Sequence, residues 1–111
     1  MEENLNEIPA QEISVKKHIV VYGKYDYILK NVQDLLDKAN FANTGFTSLP
    51  EASDYLRQNP VDAVFIGGGV DPQDRQTLRE IAASLNKDLK IVEHYGGPAT
   101  IIKEVTDALA K

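Results

Sequence analysis

Four short runs of β-prone residues alternate along this chain with four longer segments in which apolar residues recur every three or four positions. The clearest run, Ile19 to Tyr22, is apolar throughout, which is typical of a strand buried on both faces of a sheet. The helical segments are long enough to return the chain across a sheet, so successive strands should be parallel, with helices on both faces. A glycine-interrupted segment, Phe41 to Thr47, is better suited to a sheet edge. The alternation therefore predicts an α/β fold, a three-layer sandwich with a four-stranded parallel sheet in the order 2-1-3-4.

Capping residues and prolines indicate where the helices begin. Asp26 is expected to cap the first helix, and Ser48 and Glu51 have the spacing of a capping box at the start of the second. Asp71 followed by Pro72 predicts the start of the third helix. The buried stripe predicted for that helix consists of Leu78, Ile81, Ala82 and Leu85.

The first residues differ in character from the rest of the chain. Residues 1–14 are polar and acidic and contain Pro9, which predicts a flexible arm ahead of a single domain at 15–111. The spacing of Ile13 and Val15 leaves a second possibility, in which the arm adds an edge strand to the sheet. A length of 111 residues is that of one ordinary domain.

The charge balance and composition argue against several classes of partner. The net charge is -5, and the 12 lysines and arginines are spread along the chain, so neither nucleic acid nor a membrane surface is an expected partner. No apolar run approaches the roughly 18 residues of a spanning helix, and the first ten residues lack the apolar core of a signal peptide, which predicts a soluble, cytoplasmic protein. With no cysteine, two separated histidines and no dinucleotide or Walker fingerprint, neither a metal nor a cofactor is predicted.

Glycine-rich segments follow three of the four predicted strands. Ligands of parallel sheets bind beyond the carboxyl ends of the strands, where the strand order reverses, and glycines there expose backbone N–H groups to phosphates or carboxylates. Lys24 would add a positive charge, His94 an acid or base, and Tyr95 a hydrogen-bond donor. The candidate ligand-binding residues are Gly23, Lys24, Tyr25, Gly67, Gly68, Gly69, His94, Tyr95, Gly96 and Gly97.

The same segments also have a purely structural interpretation. The glycines at 67–69 permit positive φ angles and close packing ahead of the third helix. His94 is expected to be solvated on a loop, and His18 to be exposed beside the first strand. Helix carboxylates such as Glu104 are expected on solvated faces. No serine near a strand end pairs with a histidine, so no catalytic residue is predicted.

The segment NPVDAVFIGG, at 59–68, resembles the third-strand region of bacterial response-regulator receiver domains, which are flavodoxin-like α/β modules. The likeness spans most of 18–111. It implies that Gly67 stands in the place of the aspartate that accepts the phosphoryl group, and that Gly23 and Lys24 stand in the place of the acidic pair that binds magnesium. Because phosphoryl transfer needs that acceptor and that metal, the resemblance implies a receiver-like domain without phosphorylation chemistry.

Two functions follow as expectations from these observations. The first is a non-catalytic, pseudo-receiver-type protein-interaction module, acting on a protein partner or as a homodimer, because the fourth strand is left with an open edge. The alternative is a binder of a small phosphate- or nucleotide-containing ligand at the glycine-rich edge of the sheet. A third reading, an enzyme using Tyr25, His94 or Tyr95, is not expected. The run FIGGG is also similar to the glycine pair of cobalamin-binding domains, but the histidine loop that those domains carry after the first strand is missing here.

Overall fold

A computed structural model describes residues 16–85 and 88–111, so the arm predicted at 1–14 lies outside the described residues. Strands and helices alternate along the described chain. In chain order they are β1 (His18–Tyr22), α1 (Asp26–Lys38), β2 (Ala42–Phe46), α2 (Leu49–Gln58), β3 (Ala63–Ile66), α3 (Pro72–Leu85), β4 (Lys90–Glu93) and α4 (Ile101–Leu109), with a 3-10 turn at Pro98–Thr100 directly before α4.

The strands form one parallel sheet in the order β2-β1-β3-β4, which confirms the predicted order 2-1-3-4. β1 and β3 are the central strands, so that Val20 of β1 lies between Thr44 of β2 and Val64 of β3. The side chain of Asp62, just before β3, accepts a hydrogen bond of 2.8 Å from the backbone N–H of His18 and fastens the amino ends of the two central strands together. The strand order reverses between β1 and β3, which places a crevice at their carboxyl ends.

Side chains of the central strands alternate between the two faces of the sheet and pack into two separate cores, which makes the fold a three-layer sandwich as predicted. The first face of the sheet is covered by α1 and α4, and the second by α2 and α3. The first core contains Ile19, Val21, Leu29, Val32, Leu36, Ala63, Phe65, Val92, Ile101 and Val105. The second core contains Val20, Tyr22, Ala52, Leu56, Val64, Ile66, Val70 and Leu78.

The helix starts agree with the sequence signals at two of three positions. Ser48 caps α2 by accepting a hydrogen bond of 3.4 Å from the backbone N–H of Glu51, and Pro72 is the first residue of α3. At α1 the prediction was wrong, because Tyr25 is the N-cap without a side-chain hydrogen bond and Asp26 lies in the first turn. There the carboxylate still interacts favourably with the positive end of the helix dipole.

Two further side chains depart from the sequence prediction. Leu85, expected in the buried stripe of α3, is 40% exposed because it lies in the last turn of the helix, whereas Leu78 and Ala82 are buried as predicted. His18, expected to be exposed, is half-buried, with Nε2 lying 2.9 Å from the hydroxyl of Thr44 and 3.4 Å from that of Tyr55. Among the described helices, none is long and apolar enough to cross a bilayer.

Candidate functional site

The loops after β1, β3 and β4 meet at the carboxyl edge of the sheet because ladder hydrogen bonds continue into their first residues. Gly67 donates its N–H to the carbonyl of Tyr22 at 2.9 Å, and His94 donates to the carbonyl of Ile66 at 2.9 Å. Gly23 donates in the same way to the carbonyl of Phe46 at 3.1 Å. The sheet thus fixes where each glycine-rich loop starts.

A cavity of about 410 Å³ opens on the first face at this edge, between α1, the start of α4 and the loops that follow β3 and β4. This edge cavity contains seven of the ten candidate residues predicted from the sequence. Its walls are Ile28, Asn31, Val32 and Leu35 of α1, Phe65 of β3, Pro98 and Ile101 beside α4, and the loop residues Gly67, Gly68, Gly69, His94, Tyr95, Gly96 and Gly97.

The other three candidates, Gly23, Lys24 and Tyr25, lie beside the loop after β3 and are not walls of the edge cavity. A Cβ built on Gly69 would lie 3.6 Å from the ring of Tyr25, which packs beneath the loop. The ammonium group of Lys24 lies 3.8 Å from the carboxylate of Asp71, both of them exposed. Lys24 also borders a smaller hollow on the second face, so its positive charge is not in the edge cavity.

Arg75 of α3 binds both loops, and the sequence analysis did not identify it as a residue of this edge. Its side chain is 4% exposed. The guanidinium donates to the carbonyls of Gly67 at 2.7 Å, His94 at 3.0 Å and Val70 at 3.2 Å. A sequence signal was available, since Arg75 lies three positions before the buried Leu78, on the apolar stripe of the helix.

The outer side of this guanidinium is closed by a second group of polar side chains. Glu93 lies 3.5 Å from Arg75 and 2.7 Å from Arg79, and it accepts a hydrogen bond of 3.1 Å from the hydroxyl of Tyr95. The Tyr95 ring lies over the Arg75 guanidinium at 4.2 Å. Burial raises the pKa of Glu93, but the hydrogen bonds from Arg79, Tyr95 and Arg75 and the charge of Arg79 outweigh it, so this pKa lies below its usual value.

His94 is not solvated, contrary to the sequence prediction, but 4% exposed on the first face. Its Nδ1 lies 2.6 Å from a carboxylate oxygen of Glu104 in α4, and its ring packs against Phe65. Glu104, predicted on a solvated face, keeps 36% of its side chain exposed while it binds this ring. A neutral ring in this arrangement carries its proton on Nδ1, because the carboxylate can only accept.

The glycines at 67–69 do not serve the conformational role that their structural interpretation suggested. No glycine in the described chain has a positive φ angle. A Cβ on Gly67 or Gly68 would meet its nearest atom at 3.6 Å or 3.7 Å, an ordinary contact distance. What glycine does provide at these positions is an edge cavity that no side chain from this loop fills.

On the second face, the phenol of Tyr22 donates a hydrogen bond of 3.0 Å to the carboxylate of Asp74. Burial, followed by this hydrogen bond and the charges of Asp74 and Asp71, raises the pKa of Tyr22 to about 12. Over the described ranges, 16–85 and 88–111, no group of three or more histidine, aspartate or glutamate side chains is arranged to hold a metal ion.

No protein-family model matches the sequence, and no curated protein matches it. Among solved structures, the chain is similar to one described as the yeast Spc42 trimeric coiled coil, amino acids 181–211, fused to another structure. The alignment covers 83% of this chain with a TM-score of 0.53 and 14% identity, and this chain spans 63% of the length of that one. At such an identity the similarity concerns the fold alone.

Proposed function

We propose that this protein is a non-catalytic, receiver-like domain that binds a small ligand in the edge cavity. The observation that carries the proposal is the convergence of the loops after β3 and β4 on one 410 Å³ cavity. That volume is within the range of cofactor and metabolite sites, and the position is the one at which open parallel sheets bind their ligands.

The walls favour a ligand with an apolar body and a polar end. The α1 side of the edge cavity is aliphatic apart from Asn31, and Phe65 and Ile101 add further apolar surface. The loops on the opposite side contribute mainly glycine backbone, together with His94 and Tyr95. A mononucleotide, a flavin or a phosphorylated metabolite has both parts, with a ring or chain for the apolar wall and a charged group for the loops.

The side chains that line the edge cavity support binding without catalysis. None of the described lining residues is a serine, threonine, cysteine, lysine or acidic residue that could act as a nucleophile. The hydroxyl of Tyr95 is bonded to Glu93, and Nδ1 of His94 is bonded to Glu104. In the receiver comparison, Gly67 has no side-chain oxygen to accept a phosphoryl group, and Gly23 has no side-chain carboxylate to hold magnesium.

The test is a ligand-observed NMR screen with mononucleotides, dinucleotides, flavins and sugar phosphates, followed by calorimetry of each hit with two variants. Gly97→Leu adds a side chain at the wall of the edge cavity, where a Cβ would meet no atom within 4 Å, and its backbone (φ -84°, ψ -174°) suits any residue. Thr47→Leu, at the same edge of the sheet but beside the second-face hollow, is the matched control. We expect Gly97→Leu to weaken binding by about tenfold or more and Thr47→Leu to leave it unchanged. An empty screen, or hits that Gly97→Leu does not weaken, would dismiss the proposal.

A protein-interaction role is the second candidate, and the edge of β4 is the observation that favours it. Within the described residues β4 pairs only with β3. Lys90 and His94 donate their N–H groups toward β3, at 3.1 Å and 2.9 Å, so the backbone groups of Ile91 and Glu93 face the open side. A second copy of the chain could add its own strand there.

Sedimentation velocity separates this candidate from a monomer. Ile91→Pro removes an outward N–H without breaking a bond to β3, and Ile91→Val keeps that N–H as a control. A homodimer should be seen for the wild type and for Ile91→Val, and a monomer for Ile91→Pro. A monomeric wild type at high protein concentration would dismiss self-association through β4.

A further inference from the structure

We propose that Arg75 builds an oxyanion-binding site in the edge cavity, in which the backbone N–H groups of Gly68 and Tyr95 are the donors. The proposal rests on the ligand-binding function above and names the chemical class of the ligand, one that ends in a phosphate or a carboxylate. Arg75 has a positioning role, since it touches the loops from the second face and not the ligand.

The argument begins with the carbonyl groups that Arg75 binds. One nitrogen of the guanidinium, Nη2, donates to the carbonyl of Gly67 at 2.7 Å and to that of His94 at 3.0 Å. Both carbonyls are therefore turned toward the side of the sheet from which α3 approaches. The loops after β3 and β4 are held in register by this shared nitrogen.

The consequence concerns the amides of the same two peptide units. In a trans peptide the N–H points opposite to the C=O, and the described chain has no cis peptide bond. The N–H of Gly68 belongs to the unit whose carbonyl is that of Gly67, and the N–H of Tyr95 to the unit of the His94 carbonyl. Both N–H groups therefore point away from Arg75, and both residues line the edge cavity.

These donors are free to bind a ligand. Within the described chain neither the N–H of Gly68 nor that of Tyr95 donates a hydrogen bond. The two loops are close to one another here, because a Cβ built on Gly68 would lie 3.7 Å from the His94 carbonyl oxygen and 3.9 Å from the Tyr95 carbonyl carbon. Adjacent backbone N–H groups on a rigid scaffold, with no acceptor in the described chain, are donors of the kind that stabilises an oxyanion.

A buried side chain at the same wall is an independent observation that points to a ligand. His94 is 4% exposed and lines the edge cavity. Its Nδ1 is used by Glu104, but its Nε2 has no hydrogen-bond partner in the described part of the chain. Because Nδ1 carries the proton of the neutral ring, Nε2 is an acceptor, and since buried polar atoms are nearly always paired, a hydroxyl or N–H group of the ligand, or a bound water, would complete its hydrogen bonding.

The polarity of the loops selects against a cationic ligand. The carbonyl oxygens of Gly67, Val70 and His94, which could have received a cation, are all bonded to Arg75. No acidic side chain lines the edge cavity among the described residues. The backbone there offers donors, which an anion needs.

The test compares ligands that differ only in the oxyanion. The pairs are adenosine monophosphate with adenosine, flavin mononucleotide with riboflavin, and indole-3-acetate with indole-3-ethanol, each titrated into the wild-type protein and followed by calorimetry and by amide NMR. We expect the anionic member of at least one pair to bind about tenfold more tightly, with large downfield shifts of the Gly68 and Tyr95 amide protons. A phosphate pair and the carboxylate pair separate the two sources of the charge.

Each outcome decides something different. If both members of a pair bind in the edge cavity equally well and those two amides do not move, the oxyanion site is wrong and the ligand-binding function stands. If no compound binds, both proposals fail. The wild-type titration alone settles these cases, so it does not depend on a variant that folds.

Arg75→Lys then tests the positioning role, because lysine keeps the charge but cannot hold three carbonyls in a fixed geometry. Arg79→Lys is the matched control, since Arg79 shares the contact with Glu93 but touches no loop carbonyl. We expect Arg75→Lys to abolish the preference for the anionic member and the downfield shifts, and Arg79→Lys to keep both. A preference retained in Arg75→Lys would overturn the role given to Arg75.

Discussion

Replacing Arg75 by alanine should destabilise the fold far more than replacing its neighbour Arg79. Arg75 is 4% exposed and donates hydrogen bonds to three backbone carbonyls, at 2.7, 3.0 and 3.2 Å. A hydrogen bond from a charged group contributes about 1.5–3 kcal/mol, and we take about 1 kcal/mol for each because water can reach the rim of the loops when the side chain is removed. The expected loss is therefore about 3 kcal/mol, a large part of the stability of a small domain.

Arg79 sets the scale for the comparison. Its side chain is 46% exposed, and its contact is the pair with Glu93 at 2.7 Å. Such exposed pairs contribute under about 1 kcal/mol. The two substitutions thus remove the same kind of side chain from the same helix, and they differ in burial and in the backbone contacts.

Urea unfolding followed by far-ultraviolet circular dichroism measures both variants. With a slope of about 1.5 kcal/mol per molar urea, the midpoint should fall by about 2 M for Arg75→Ala and by less than about 0.7 M for Arg79→Ala. Equal shifts for the two variants would refute the account of Arg75 as the tie between the loops, and would mean that the loops hold their positions without it.

Three further outcomes follow from other contacts. The raised pKa of Tyr22 means that its neutral form stabilises the fold below pH 10, and that this contribution is lost as the pH rises toward about 12. An alkaline absorbance titration should therefore show a step near pH 12, which Tyr22→Phe removes and Asp74→Asn moves to lower pH. The lowered pKa of Glu93 has the opposite effect, because its ionised form stabilises the fold above pH 4.5 and this contribution is lost as the pH falls through the pKa of the folded state. In Glu93→Gln the free energy of unfolding should therefore fall less steeply as the solution is acidified. In α3, Leu78→Ala should cost about 3 kcal/mol in urea unfolding and Leu85→Ala less than about 1, and similar costs would contradict the burial assigned to them.

The fold was predictable because its signals are local and repeat along the chain. A continuous apolar run such as Ile19 to Tyr22 can be buried on both faces only in the middle of a sheet, and the chirality of crossovers then leaves few strand orders. The start of α2 at Ser48 and of α3 at Pro72 depended on single residues with strong positional preferences. The end of α3 was not predictable in the same way, since nothing in the sequence shows that Leu85, in the last turn, is exposed.

The site was predictable in outline and not in its chemistry. The topology alone brings the loops after β3 and β4 to one edge, and this is why seven candidates line the edge cavity. The side-chain contacts depend on residues distant in the sequence, such as Arg75 with His94 and His94 with Glu104. Neither pair has a spacing that identifies it, so His94 seemed to be a solvated loop residue.

The central claim is that a ligand occupies the edge cavity, and intermolecular nuclear Overhauser effects test it most directly. With methyl-labelled protein and the tightest ligand from the screen, the account predicts contacts from ligand protons to the methyl groups of Ile28, Val32 and Ile101, which line the edge cavity. Contacts instead to Leu56 and Leu89, which border a hollow at the opposite edge of the sheet, or to no methyl group at saturating ligand, would contradict it.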